Sequence, residues 1–238
     1  MPENLVLLHG FVGTRATWDG VVERLAPERY TALALDLPGH GESTDALQRI
    51  TFDACAEHVL SHSPPSFELC GYSLGGRLAL HVALRAPERV RRLVLVSTTA
   101  GIDDEAERAA RRRADSVLAA DLERRPFTEF MDRWQAQPVF AADPPEVHAA
   151  MRAQQLRNSP RALANVLRGI GTGEMAPLWD RLGELTMSVA VLVGERDTKF
   201  HAPARRMVEL LPDARLQIVC GGHRLPLENP QAVLDALA

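Results

Sequence analysis

Six short apolar runs separated by helical stretches constrain this chain more than any other feature. They are LVLLHG (5–10), TALALDL (31–37), FELCGYS (67–73), RLVLVS (92–97), VAVLVGE (189–195) and LQIVCGG (216–222). Most read as apolar on both faces, which suits strands covered on both sides rather than the half-wet strands of an antiparallel sheet. Amphipathic stretches at 17–26, 51–62, 75–86, 202–211 and 230–238 lie between or after them. Strands alternating with helices predict an α/β fold: a mostly parallel sheet flanked by helices. Right-handed crossovers then put the loop after every strand on one rim of the sheet. With 238 residues, 46% of them hydrophobic, the chain can bury one sizeable core.

The interval 101–185 breaks the rhythm, being helical in pattern throughout. It reads as a helical cap inserted into a core made of residues 1–100 and 186–238. Within it, ERAARRRAD (107–115) is dense in arginine, and GIGTGEM (169–175) lacks the flanking strand and Gly-Lys-Ser/Thr of a phosphate loop, so it reads as a turn.

Other global features narrow the function. The formal net charge of −4 gives no reason to expect nucleic-acid binding. Lys199 is the sole lysine, so the basic groups are nearly all arginines, suited to forked contacts with carboxylates. Cys55, Cys70 and Cys220 are too widely spaced for a zinc site or a disulfide frame and read as packed, reduced thiols. The N-terminus shows no export signal and no run is long enough to span a membrane, so the expected location is cytoplasmic, with no membrane partner.

The chemistry centres on GYSLGGR (71–77). Gly71-Tyr72-Ser73-Leu74-Gly75 fits G-x-S-x-G after an apolar run and before a helix, the setting of a nucleophile elbow. A serine hydroxyl needs a histidine to take its proton and a carboxylate to orient that histidine. Asp197, after the run 189–195, and His223, after the run 216–222, would reach the same rim in the chain order that this elbow uses. The Phe11 and Leu74 backbone N–H groups are the expected oxyanion hole; His9 reads as a loop brace. Arg77 follows Ser73 by four residues and shares its helix face. A cation so near a helix N-terminus is disfavoured by about 0.3–1 kcal/mol, so it calls for an anion: substrate carboxylate, or a local acid such as Glu42.

The landmarks LLHGF, LDLPGHGES (35–43), GYSLGG, GERD and GH before ENP resemble the α/β-hydrolase superfamily. The chain further resembles the MenH-like 2-succinyl-6-hydroxy-2,4-cyclohexadiene-1-carboxylate (SHCHC) synthases of menaquinone biosynthesis. This second likeness extends into the insertion: the arginine-rich stretch near 108–113, WQAQPVF, QLRNSP and GTGEMAPLWDRL. It implies a lyase that eliminates pyruvate from 2-succinyl-5-enolpyruvyl-6-hydroxy-3-cyclohexene-1-carboxylate, with Ser73 as general base and neither metal nor organic cofactor. It also implies that Arg111 and Arg157 contact substrate carboxylates, with Trp134 as an aromatic wall; Arg108 and Arg112 compete with Arg111 in register. Tyr72, beside the serine, is grouped with these substrate contacts. The resemblance puts the sheet edge in question, because the chain starts at the strand before the oxyanion loop. Two other readings stand: a serine hydrolase of an ester or C–C bond in a carboxylate-bearing substrate, and a ligand receptor that keeps the pocket. The assembly expected is a monomer or small homo-oligomer.

Overall fold

The computed structural model describes residues 2–45 and 47–237. Among them, six strands form one sheet: β1 (Glu3–Leu8), β2 (Tyr30–Leu35), β3 (Phe67–Tyr72), β4 (Val90–Val96), β5 (Ser188–Gly194) and β6 (Ala214–Val219). The helices are α1 (Asp19–Val22), α2 (Phe52–His62), α3 (Leu74–Arg85), α4 (Glu105–Arg124), α5 (Phe127–Gln135), α6 (Pro145–Gln155), α7 (Pro160–Ile170), α8 (Thr198–Leu210), α9 (Leu225–Glu228) and α10 (Pro230–Leu237). Every strand pair is parallel, in the order β2-β1-β3-β4-β5-β6; β2 and β6 are the edges. This is the α/β architecture that the apolar runs predict.

Alternation along the strands separates two cores. Val6, Leu8, Leu69, Leu93, Leu95, Val189 and Val191 face a cluster that includes α2, α3 and α8. Their neighbours Leu5, Leu7, Cys70, Val94, Val96, Ala190 and Leu192 face the opposite cluster, with Trp18, Val21 and α10. Because both faces are covered, a polar substitution on either side of the central strands would bury an unpaired group.

Two expectations change. The stretch 17–26 is not one helix but a 3₁₀ turn, Arg15–Trp18, followed by the single turn α1; Gly20 inside it and Pro27 beyond it leave no uninterrupted helical run. Cys55 and Cys70 are buried free thiols, whereas Cys220 is exposed, since it lies just past the end of edge strand β6. No described helix is long and apolar enough to cross a membrane.

Residues 101–185 contain α4–α7 and short 3₁₀ turns, with no strand. A third cluster, Val12, Ala119, Leu122, Phe130, Met131, Met151, Leu163, Ala164 and Leu167, binds α4, α5, α6 and α7 to the loop after β1. The strand order reverses direction between β1 and β3, so their following loops diverge and leave a crevice at the carboxyl rim, the usual ligand position in such sheets.

Candidate active site

The loop after β3 is a tight turn with a strained serine. Ser73 has φ 53° and ψ −110°, a conformation that costs a non-glycine residue of order 1–3 kcal/mol and persists only when its surroundings enforce it. The enforcement is visible around the flanking glycines. A β-carbon on Gly71 would lie 2.4 Å from the Gly75 carbonyl oxygen, and one on Gly75 would lie 2.2 Å from that of Leu8. The turn is pinned from behind as well: the Ser73 N–H donates to Val96 O (2.9 Å) and Thr98 Oγ1 donates to Ser73 O (2.8 Å).

The structure brings Ser73, Asp197 and His223 together. His223 Nε2 is 3.2 Å from Ser73 Oγ, and His223 Nδ1 is 2.8 Å from Asp197 Oδ2. Asp197 and His223 are buried, and the Phe200 ring stacks on the imidazole at 4.9 Å. With Nδ1–H donating to Asp197, Nε2 is left as the acceptor for the serine proton, the tautomer a base requires. Both residues come from the loops after β5 and β6, as the rim argument expects.

Phe11 and Leu74 both line the cavity beside Ser73. Leu74 opens α3, so its N–H has no acceptor within its own helix and is free for an oxyanion. The loop 9–11 approaches closely because Gly10 has no side chain; a β-carbon there would come 2.7 Å from the Tyr72 ring and 3.4 Å from Ser73 Cβ. Val12, next in the loop, is held at φ 60°, an outlier for a β-branched residue, with its carbonyl accepting from Asn158 Nδ2 at 3.0 Å. His9 braces the loop: Nε2 accepts from the Leu37 N–H (3.0 Å) and Nδ1 donates to Gly10 O (2.8 Å). Burial pushes its pKa down to about 4, so the ring stays neutral, with its one N–H committed to Gly10 O.

The cavity above Ser73 has a volume of about 680 Å³ and is roofed by α4, α5 and α7. Arg77 is buried at its wall, 8% exposed, with Nη1 donating to Ile170 O at 2.9 Å. Glu42 is not its partner; that carboxylate pairs with Arg15. Burial, then the nearby Arg111, push the Arg77 pKa down to about 9, with Asp115 acting in the opposite sense. The guanidinium therefore stays charged at neutral pH without an ion-paired carboxylate of its own, a state that an anionic ligand would relieve. Arg111 also lines the cavity, its Nε 2.8 Å from Oδ1 of the buried Asp115. Its rivals turn elsewhere: Arg108 pairs with Glu105 and donates to Ile102 O (2.9 Å), while Arg112 pairs with Glu174 at 3.2 Å. Trp134 forms part of the wall, edge-on to Phe11 at 5.1 Å.

Two residues grouped with the substrate contacts do not reach the cavity. Arg157 is exposed and its charge acts on Asp19. The turn after α6 points Asn158 inward instead, where it accepts from the Gly41 N–H (2.9 Å) and ties the loops after β1 and β2 together. Tyr72 is buried behind the imidazole, 5.4 Å from His223; strand alternation sends it to the opposite face of the sheet from Ser73's opening, and burial raises its pKa. One cation had been passed over. Lys199, an exposed residue, lines the cavity mouth, its ammonium 5.7 Å from the Phe200 ring centre. It stands two residues after Asp197, in the first turn of α8 at the same rim, so the reasoning that located Asp197 could have found it.

Comparison with known proteins places the fold in a family. A family model described as Alpha/beta hydrolase family matches residues 5–236. The chain belongs to that family. Within the family, a Citrobacter koseri protein named 2-succinyl-6-hydroxy-2,4-cyclohexadiene-1-carboxylate synthase is 35% identical, over 98% of this chain and 92% of its own. The solved structure of MenH from S. aureus superposes with a TM-score of 0.91 at 32% identity, covering 99% of this chain and 93% of that one. An enol-lactonase from Burkholderia xenovorans LB400 superposes at 0.82 with 20% identity over 100% of this chain and 92% of its own. That last likeness concerns the fold alone, and fold does not choose among the reactions that family members catalyse.

Proposed function

We propose that this protein is an SHCHC synthase of menaquinone biosynthesis, a carbon–oxygen lyase that eliminates pyruvate from 2-succinyl-5-enolpyruvyl-6-hydroxy-3-cyclohexene-1-carboxylate. The observation that carries the reading is the buried, acid-free Arg77 one helical turn from Ser73, with Arg111 and Lys199 in the same cavity. A substrate with three carboxylates matches three cations around one hydroxyl; a neutral ester would leave the desolvation of Arg77 uncompensated. Similarity over nearly the whole chain to a protein named for this activity supports the same reading.

Residues 1–100 and 186–238 act as the core and residues 101–185 as its cap. Ser73 Oγ removes the proton beside the succinyl ketone as His223 Nε2 takes the hydroxyl proton, and Asp197 steadies the resulting imidazolium. The Phe11 and Leu74 N–H groups hold the enolate oxygen. The electron pair moves through the ring alkene, the ring C–O bond breaks, and the departing enolpyruvate collects a proton and becomes pyruvate. No covalent intermediate with Ser73 is needed. Trp134 closes the wall against water, and Arg157 takes no part.

One observation favours hydrolysis as a second reading: the 3.2 Å contact from His223 to Ser73 would equally activate the serine as a nucleophile. A coupled assay for pyruvate on the enzymatically generated cyclohexene substrate separates the two. Steady pyruvate release with no burst on an activated ester supports the lyase; an ester burst without pyruvate release overturns it.

A further inference from the structure

Behind His223, on the side away from the cavity, a second charged pair joins the cap to the rim. Arg224 follows His223 directly, and its side chain is 1% exposed. Its Nη1 lies 2.9 Å from Oδ2 of Asp143, whose side chain is 2% exposed. Its guanidinium carbon sits 4.0 Å from the centre of the Phe140 ring. Phe140 and Asp143 belong to the segment between α5 and α6, closed by the Asp143 N–H donating to Phe140 O at 3.1 Å. The Phe140 ring in turn is 5.8 Å from His223 and 6.1 Å from Trp134. Neither Arg224 nor Asp143 lines the cavity.

The energetics of this pair are poor for simple stability. Nη1 and Nη2 of Arg224 have no acceptor in hydrogen-bonding geometry among the described residues, so the contact is charge attraction plus ring stacking rather than an aligned fork. Burial holds the Asp143 carboxyl above its usual range even with Arg224 beside it. Such a pair adds little net stability, yet losing one member strands a buried charge. The other nearby carboxylate, Glu228, is already engaged: both its oxygens accept from the Gly222 N–H at 3.0 Å, and it pairs with Arg196. Arg224 is thus committed to the cap.

We infer that Arg224 and Asp143 are positioning residues: their pair holds segment 138–143 down on His223 and keeps the Phe140 ring packed between His223 and Trp134, so that Trp134 stays in place at the cavity wall. The inference rests on the reading of residues 101–185 as a cap over the Ser73–His223–Asp197 site. Neither side chain touches substrate. With the pair broken, the cap is seated for only part of the time, so apparent affinity falls by that fraction while turnover of the seated complex is kept.

The test combines steady-state kinetics of pyruvate release with hydrogen exchange of the substrate-free protein. Asp143→Asn should raise KM about tenfold with kcat within twofold, and should speed amide exchange in 138–143 but not in β3. The double variant Arg224→Met/Asp143→Leu removes both charges and keeps the bulk, so KM and exchange should return to within about twofold of the parent. Arg224→Lys keeps the charge and guards against a misfolded Asp143→Asn; it should show the same pattern at about threefold. Unchanged exchange at 138–143, or a fall in kcat at constant KM, would overturn the pair as a positioning device. A parent protein that releases no pyruvate would sink the lyase reading instead, and exchange alone would then decide on the pair.

Discussion

The rim of the sheet and the roof above it are built by different physics. At the rim, backbone decides: Ser73 is forced to φ 53° by glycines with no room for a side chain, and Asp197 and His223 sit on loops fixed by the ends of β5 and β6. At the roof, side chains decide. Arg111, Asp115, Trp134 and Phe140 are set by charge pairing and ring packing among helices. A rim of this kind serves many reactions; under the proposed function the roof selects the molecule.

The contrast can be broken first at the rim. Ser73→Ala should cut pyruvate release by roughly 10⁴-fold or more while leaving the thermal midpoint near that of the parent. Alanine keeps the β-carbon and with it the backbone strain, so only the hydroxyl contact to His223 is lost. An active Ser73→Ala protein would remove the serine from the chemistry.

The second test crosses from rim to roof. Arg77→Met removes a charge-assisted contact worth about 1.5–3 kcal/mol, which corresponds to roughly 10–150-fold in kcat/KM for the anionic substrate. Hydrolysis of a neutral activated ester, where measurable, should hold within about threefold. An equal loss of both activities would make Arg77 a support of the elbow rather than an anion contact.

Lys199→Met isolates this further cation, which is exposed where Arg77 is buried. About a tenfold rise in KM, with smaller change in kcat, is expected for loss of one partly solvated charge contact. Indifference of KM would remove Lys199 from the substrate's surroundings.

Arg157→Ala should be the mildest, within about twofold in kcat and KM, because an exposed arginine outside the cavity contributes little. A tenfold loss would mean that the cap re-seats around substrate and carries Arg157 inward, a direct revision of the roof described above.

The residues differ in how far they could be read from the chain. Ser73, Asp197 and His223 were legible because each follows an apolar run, and a parallel sheet sends all such positions to one edge. Arg77 was legible because helix spacing ties it to the serine. Arg111 was not separable from Arg108 and Arg112: on a helix where arginines crowd several faces, the one turned inward is set by the packing of α4 on α7. Tyr72 and Arg157 were misplaced for a related reason. The first lies on a strand, where adjacent side chains face opposite sides, and the second follows a helix end whose turn chose Asn158 for the interior.

The sequence by itself determined the parallel sheet, the covered faces and the serine presented at its rim, since these follow from hydrophobic periodicity and from glycines that no other residue can replace. Only the tertiary structure decided which cations line the cavity beside that serine and which buried charged pair links the segment between α5 and α6 to the residue after His223. Those choices depend on contacts between segments far apart in the chain, such as Arg224 with Asp143, and no local spacing records them.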